Sequence, residues 1–202
     1  MKVRSRSVQP PWLVFSDLLG NSFFLVSLML GLQIVVNGIN KEPPVISLED
    51  SKIYKFEIGS YNLSNSFRRT IDSSIAPKIL DLLKHYPGVS SVEVIGHTDG
   101  VPIGSISNLD TSRITSQITQ STSEYIAGSN VDLGLLRALA VKSALQSSLN
   151  QICHKQVRNN GCRKINYRVY SAGSLIDLNG NITPANGRSD PSRRRIEIRF
   201  TR

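Results

Sequence analysis

Between Ser7 and Asn40 the chain carries a single ionisable side chain, Asp17. Within that run, residues 11–36 are long enough to span a hydrocarbon core of about 30 Å as a helix rising about 1.5 Å per residue. Lys2, Arg4 and Arg6 precede it with no acid among them, and Trp12 stands at its start, where an indole favours the headgroup region. This pattern keeps a short basic tail, residues 1–10, in the cytoplasm and sends the bulk of the chain outward. A cleaved signal peptide is the alternative, but its apolar part normally runs about 7–15 residues and ends in an A-x-A-like site. Here Leu32, Gln33, Ile34, Val35, Val36 and Asn37 fit such a site poorly, so an uncleaved anchor is expected.

Composition adds a sign but not a partner. With the tail's three positive charges and Asp17's negative one set aside, +7 of the chain's +9 remains on the exported part. Outside the cell such a balance fits an anionic envelope polymer or lipid headgroups better than nucleic acid. Cys153 and Cys162 match no paired zinc motif; a disulfide and two free thiols are both compatible with their spacing.

Past the span, residues 37–52 hold Gly38, Pro43 and Pro44 and read as an extended connector. A folded domain is expected over 53–202. Alternation from Ile53 to Ile58 predicts a strand, and Ile71, Ile75, Ile79 and Leu82 predict a helix in which Pro77 falls in a first turn or a kink. Val92 and Val94 lead into a second strand ending at His97-Thr98-Asp99-Gly100. Leu133, Leu136, Ala140 and Ala144 stripe a second helix, with Ser129 or Asn130 as its cap. Tyr167, Val169 and Ser171 mark a third strand. In the last, Ile196, Ile198 and Phe200 face one way while Arg195, Glu197, Arg199 and Thr201 face the other. The order β-α-β-α-β-β, with one apolar stripe per helix, predicts a two-layer α/β (α+β) sandwich behind a single transmembrane helix. Residues 100–128, rich in Ser, Thr, Ile and Asn without a sustained period, read as an insertion after the second strand.

Three runs in this order resemble the peptidoglycan-binding domain of OmpA-like proteins: Ile95-Gly96-His97-Thr98-Asp99-Gly100, Asn130-x-x-Leu133-x-x-x-Arg137-Ala138-x-x-Val141, and Arg194-Arg195-Ile196-Glu197-Ile198. Pro11-Trp12-x-x-x-x-Asp17-Leu18-Leu19 ahead of such a domain is similar to the flagellar stator family MotB. Ser107-Asn108-Leu109-Asp110, Gly128-Ser129-Asn130-Val131-Asp132-Leu133-Gly134 and Tyr170-Ser171-Ala172-Gly173 look closer still to ZorB of the Zorya antiphage system. The insertion departs from the compact versions, which have only a short loop there. The resemblance implies a single-pass protein of the bacterial inner membrane with a periplasmic domain. It further implies a homodimer inside a pentameric ring of a multi-span MotA/ZorA-like partner, and ion flow past the aspartate that drives rotation.

An ionised carboxylate within the apolar region costs at least a few kcal/mol, so Asp17 should be neutralised, paired or facing water. A carboxyl that toggles between neutral and ionised forms can gate a helix rearrangement. The competing reading places Asp17 only about one and a half turns past Trp12, snorkelling into the cytoplasmic headgroups. For the exported domain, the resemblance implies that Asp99 and Arg137 grip the zwitterionic end of diaminopimelate in the wall's peptide stem, with Asn130, Arg194 and Thr98 lining the same pocket. A carboxylate for the ammonium and a guanidinium for the carboxylate suit such a ligand. Each residue also has a plain structural role to fill: an Asp99–Arg137 ion pair, Asn130 as a helix cap, Thr98 in a turn, Arg194 at a solvated strand end. His97 has no second histidine at metal-ligand spacing, and no cofactor is implied. No nucleophile elbow, phosphate loop or paired-carboxylate pattern is visible, so wall binding without catalysis is the expectation. A passive tether joining membrane to wall, with no ion chemistry, is the rival reading.

Overall fold

A computed structural model describes residues 11–39, 42–51, 53–110, 125–155, 164–184 and 186–202. The basic tail, the middle of the insertion and Cys162 lie outside these residues. The described chain divides into two units between Glu42 and Pro43. The first is one helix, α1 (Pro11–Ile39), within which Phe15–Val36 are long and apolar enough to cross a membrane. Its 22 residues rise about 33 Å, matching the hydrocarbon thickness of a bilayer.

The second unit begins with β1 (Ile46–Glu49), inside the stretch expected to be connector. Ile46 and Leu48 are buried and the residues between and after them exposed, and the strand pairs antiparallel with the end of the chain, Ile46 opposite Ile198. The strand expected over Ile53–Ile58 does not form. Tyr54 and Phe56 instead pack edge-on against the ring of Phe67, with centroids 5.3 and 5.4 Å away, so their burial comes from irregular backbone.

Ser64 caps α2 (Asn65–Thr70) by accepting from the Phe67 N–H. A single π-helical turn, Ile71–Ile75, follows, and α3 (Ala76–His85) opens with Pro77 in its first turn. Proline has no N–H to give, and the widened turn ahead of it lets the helical run continue. Ile71, Ile75 and Ile79 stay on one buried face, as their spacing predicts. β2 (Ser91–His97) leads to the insertion. α4 (Asn130–Lys155) then crosses back to β3 (Asn166–Gly173), and β4 (Arg195–Thr201) completes the sheet. Strand order is β1-β4-β2-β3, with β2 and β3 parallel and the other pairs antiparallel.

Phe67, Ile71, Ile79, Val92, Val94, Val141, Leu145, Ile196 and Ile198 form one core between sheet and helices. The sheet is thus covered on one face by all the helices of this unit, the two-layer α+β arrangement expected. Its other face is less open than alternation alone implies, since Arg195 and Glu197 are buried there with His97. Arg195 Nη2 donates to the Asp177 carbonyl of the segment between β3 and β4. Cys153, near the end of α4, is disulfide-bonded.

Candidate functional site

Two glycines bring the site together. Gly96 on β2 and Gly134 on α4 lie so close that a Cβ on Gly96 would overlap the Gly134 carbonyl group. Sheet and helix therefore touch backbone to backbone, and three residues further along each, Asp99 and Arg137 reach one cavity. Ser129 caps α4 by accepting from the Asp132 N–H at 3.1 Å, while the Asp132 carboxylate accepts from the Gly128 N–H at 2.9 Å. That reciprocal cap leaves Asn130 free for another role: its Nδ2 donates to the Val101 carbonyl at 2.9 Å, tying the helix start to the loop after Asp99.

The charged groups then pair in an order that sequence spacing does not give. Asp99 is not bonded to Arg137 as its ion-pair reading predicts; it accepts from Arg194 Nη1 at 2.7 Å. Arg194 Nε also donates to Asp50 at 2.6 Å, and Nη1 reaches Ser189 Oγ at 2.9 Å. Asp50 follows β1 directly, and its own N–H donates to the Arg194 carbonyl at 2.9 Å. Arg194 is therefore an ion-paired bridge, not a solvated strand end. Burial works against its charge, but its hydrogen bonds to Asp50 and Asp99 outweigh that effect and the net shift is upward.

Arg137 is buried, 3% exposed, yet has backbone partners: Nε donates to the Ser60 carbonyl at 2.9 Å and Nη2 to the Glu57 carbonyl at 3.3 Å. Its guanidinium lies 4.8 Å from the centre of the Phe56 ring. Burial lowers its pKa to about 10, with Asp99 pulling the other way. At neutral pH it remains a cation, held in place by groups that are not its counter-ions. Asp99, Arg137, Arg194 and Lys55 are the charged groups lining the cavity, with Asp50 behind Arg194, so the site presents both signs to a ligand.

Asp99, Asn130, Arg137 and Arg194 all line one cavity of about 730 Å³. Thr98 does not: it is buried beneath, its N–H donating to the Gly173 carbonyl at 2.9 Å, and so positions Asp99 from behind. Asp17 is carried by α1, in the other unit, with its side chain exposed. Sequence reasoning missed Asp50, Ser189 and Phe56. Asp50 fell in a stretch read as connector, and its partner lies 144 positions away.

A second charged group lies on the far side of the sheet. Glu197 accepts from Arg195 Nε at 2.8 Å and Arg199 Nη2 at 2.7 Å, and His97 Nε2 lies 3.3 Å from its Oε1 without hydrogen-bond alignment. The His97 ring and then the two guanidinium groups hold the Glu197 carboxyl well below the usual carboxylate range, against the opposing effect of burial.

No protein-family model and no curated protein matches this sequence. Among solved structures, the periplasmic domain of Helicobacter pylori MotB is similar at 17% identity over 80% of this chain and 77% of that one, with a TM-score of 0.46. The cell wall anchor of the T6SS from Pseudomonas aeruginosa is similar at 21% identity over 78% of this chain and 81% of that one, with a TM-score of 0.41.

Proposed function

We propose that this chain is the wall-anchored subunit of an ion-driven membrane motor, single-pass in the bacterial inner membrane with its folded domain in the periplasm. The observation that carries this reading is the gathering of Asp99, Arg137, Arg194 and Asn130 around one cavity. The Asp99 carboxylate and the Arg137 guanidinium on that cavity, with Arg194 partly neutralised by Asp50, are complementary to the amino-acid end of diaminopimelate in a peptidoglycan stem. The ligand's ammonium takes Asp99, in competition with Arg194, and its carboxylate takes Arg137, whose planar fork is already fixed by backbone carbonyls. A preorganised cation loses little freedom on binding, which favours affinity.

In this reading Asp17 is the group that carries the coupling ion, a proton, on an otherwise uncharged α1. Two copies of the chain sit within a pentameric multi-span MotA/ZorA-like partner, and the wall contact gives the partner a fixed point to turn against. Of the processes such a motor drives, antiphage defence is the one that the ZorB-like runs favour. The test is purification from native membranes under mild detergent. A motor subunit brings a larger integral membrane protein with it in defined stoichiometry; a passive tether comes alone.

A further inference from the structure

The positive balance of the exported part has no partner in the wall-binding reading, and it is not spread evenly. Between Asp132 and Asp177 the sequence holds seven Lys and Arg residues and no acid. Arg137 belongs to the candidate site, but five of the others, from Lys155 to Arg168, fall within fourteen residues of sequence across the end of α4 and the start of β3.

The sheet places the described part of this charge at the end opposite the site. β2 leads to Asp99 at one end and begins at Ser91, seven residues back, about 20 Å away at some 3.3 Å per residue. Around that start the Ser90 N–H donates to the Thr201 carbonyl at 2.8 Å and the Asn166 N–H to the Ser90 carbonyl at 3.2 Å. The end of β4 and the start of β3 therefore meet the turn that leaves α3. Lys164 stands two residues before Asn166, Arg202 directly after Thr201, and Lys84 in the last turn of α3, and all three are exposed. A Cβ on Gly88, in the turn after α3, would lie 3.5 Å from Arg202 Nε, which places that guanidinium beside the turn. Asp81 on α3 lies 3.6 Å from His85, and Glu93 on β2 lies 3.5 Å from Arg168, so the acids of the adjoining elements already face basic side chains.

The helix dipole favours cations at helix C-termini, which accounts for Lys84 and Lys155. It does not account for Lys164 and Arg202 at strand ends, nor for the absence of acid over residues 133–176. The chain also enters the folded unit from this end: Ile46, the first residue of β1, pairs with Ile198, and Glu49, the last, with Arg195. Residues 37–45 between the apolar span and β1 extend to about 35 Å at most. In a chain anchored through α1, that length keeps the basic end within reach of the bilayer's polar surface.

We propose that this end docks on the anionic headgroups of the membrane that α1 spans. The folded domain then rests on phospholipid while the cavity at the other end of β2 faces away from it. The partner is a lipid surface because the tether holds this end to one, and because charge spread over an area is met by exposed cations without a cavity. The attraction falls off within a Debye length, about 8 Å at physiological ionic strength, so the docking is reversible and gives way in salt. It rests on the single-pass anchoring proposed above and not on the wall ligand.

The test reconstitutes the full chain in lipid nanodiscs of phosphatidylcholine, alone or mixed with phosphatidylglycerol, and follows the acetylation rate of each lysine by mass spectrometry. In the anionic discs Lys84 and Lys164 should react about fivefold more slowly, or less readily still, and high salt should restore them. Lys55, on the cavity at the other end, should react alike in both discs. Lys84→Gln together with Arg202→Gln should weaken docking roughly 25-fold, at about fivefold for each basic side chain near an anionic surface. Lys164 then returns to its rate in the neutral disc. Equal rates for Lys84 and Lys164 in the two discs overturn the docking, as does slowing that falls equally on Lys55, or protection of Lys164 that survives salt or the double variant. A chain that enters neither disc overturns the anchoring and the docking with it; one that enters both and shows equal rates loses the docking alone.

Discussion

Gly96 and Gly134 face each other across the β2–α4 contact with no room for a side chain on either: a Cβ on Gly134 would overlap the Ser171 hydroxyl and crowd the Gly96 carbonyl, and one on Gly96 would overlap the Gly134 carbonyl. The closeness of this crossing determines how near Asp99 and Arg137 come. Anything that pushes sheet and helix apart moves the two halves of the site with them.

Gly96→Ala is therefore expected to destabilise the folded domain by about 1–3 kcal/mol or more, the range for overpacking a tight contact against backbone. Gly134→Ala should do less harm, because alanine is better than glycine within a helix by about 1 kcal/mol and the first obstacle it meets is a short side chain. Thermal unfolding followed by circular dichroism orders the two variants.

Arg194→Ala removes the cation shared by Asp50 and Asp99. Hydrogen bonds to charged groups contribute about 1.5–3 kcal/mol each, so losing the two should cost about 3 kcal/mol or more in urea unfolding. Asp50→Asn made in the Arg194→Ala background should cost little more, because the partner it loses is already gone.

Acid should release the cluster behind the sheet. The Glu197 carboxyl sits below its ordinary value of 4.5 in the folded chain, so its ionised form adds stability that is present above that value and lost as pH falls through the lower folded value. The stability difference between the unaltered chain and Glu197→Gln should be constant near neutrality and shrink from about pH 4.5 downward. A difference that grows on acidification would contradict the burial of Glu197 among His97, Arg195 and Arg199.

Asp17→Asn keeps shape and removes the exchangeable proton. On the proposed motor reading, the variant should insert in the membrane and copurify with a multi-span partner as the unaltered chain does, while proton flux into vesicles containing the assembly falls to background. Unchanged flux would remove ion transfer through Asp17 from the account.

Local periodicity carried most of the fold. Ile196, Ile198 and Phe200, or Ile71, Ile75 and Ile79, announce their elements because each buried face repeats within a few residues. β1 was hidden because four residues offer only Ile46 and Leu48, and its register comes from β4, about 150 positions away. The Ile53–Ile58 alternation misled because Tyr54 and Phe56 are half-buried against Phe67 and not by a neighbouring strand. The motifs that hold Asp99, Asn130, Arg137 and Arg194 marked residues that the fold brings to one cavity. Their pairing was not legible, since Asp50 and Arg194 meet only after β1 and β4 align.

The central claim is that the exported domain grips the cell wall through Asp99 and Arg137. Cosedimentation of the full chain with purified peptidoglycan sacculi tests it most directly. The unaltered chain should pellet with the sacculi, and Asp99→Ala or Arg137→Ala should weaken that binding by about tenfold or more, as expected for the loss of a charge-assisted hydrogen bond. Undiminished binding by both variants, each still folded, would contradict the account.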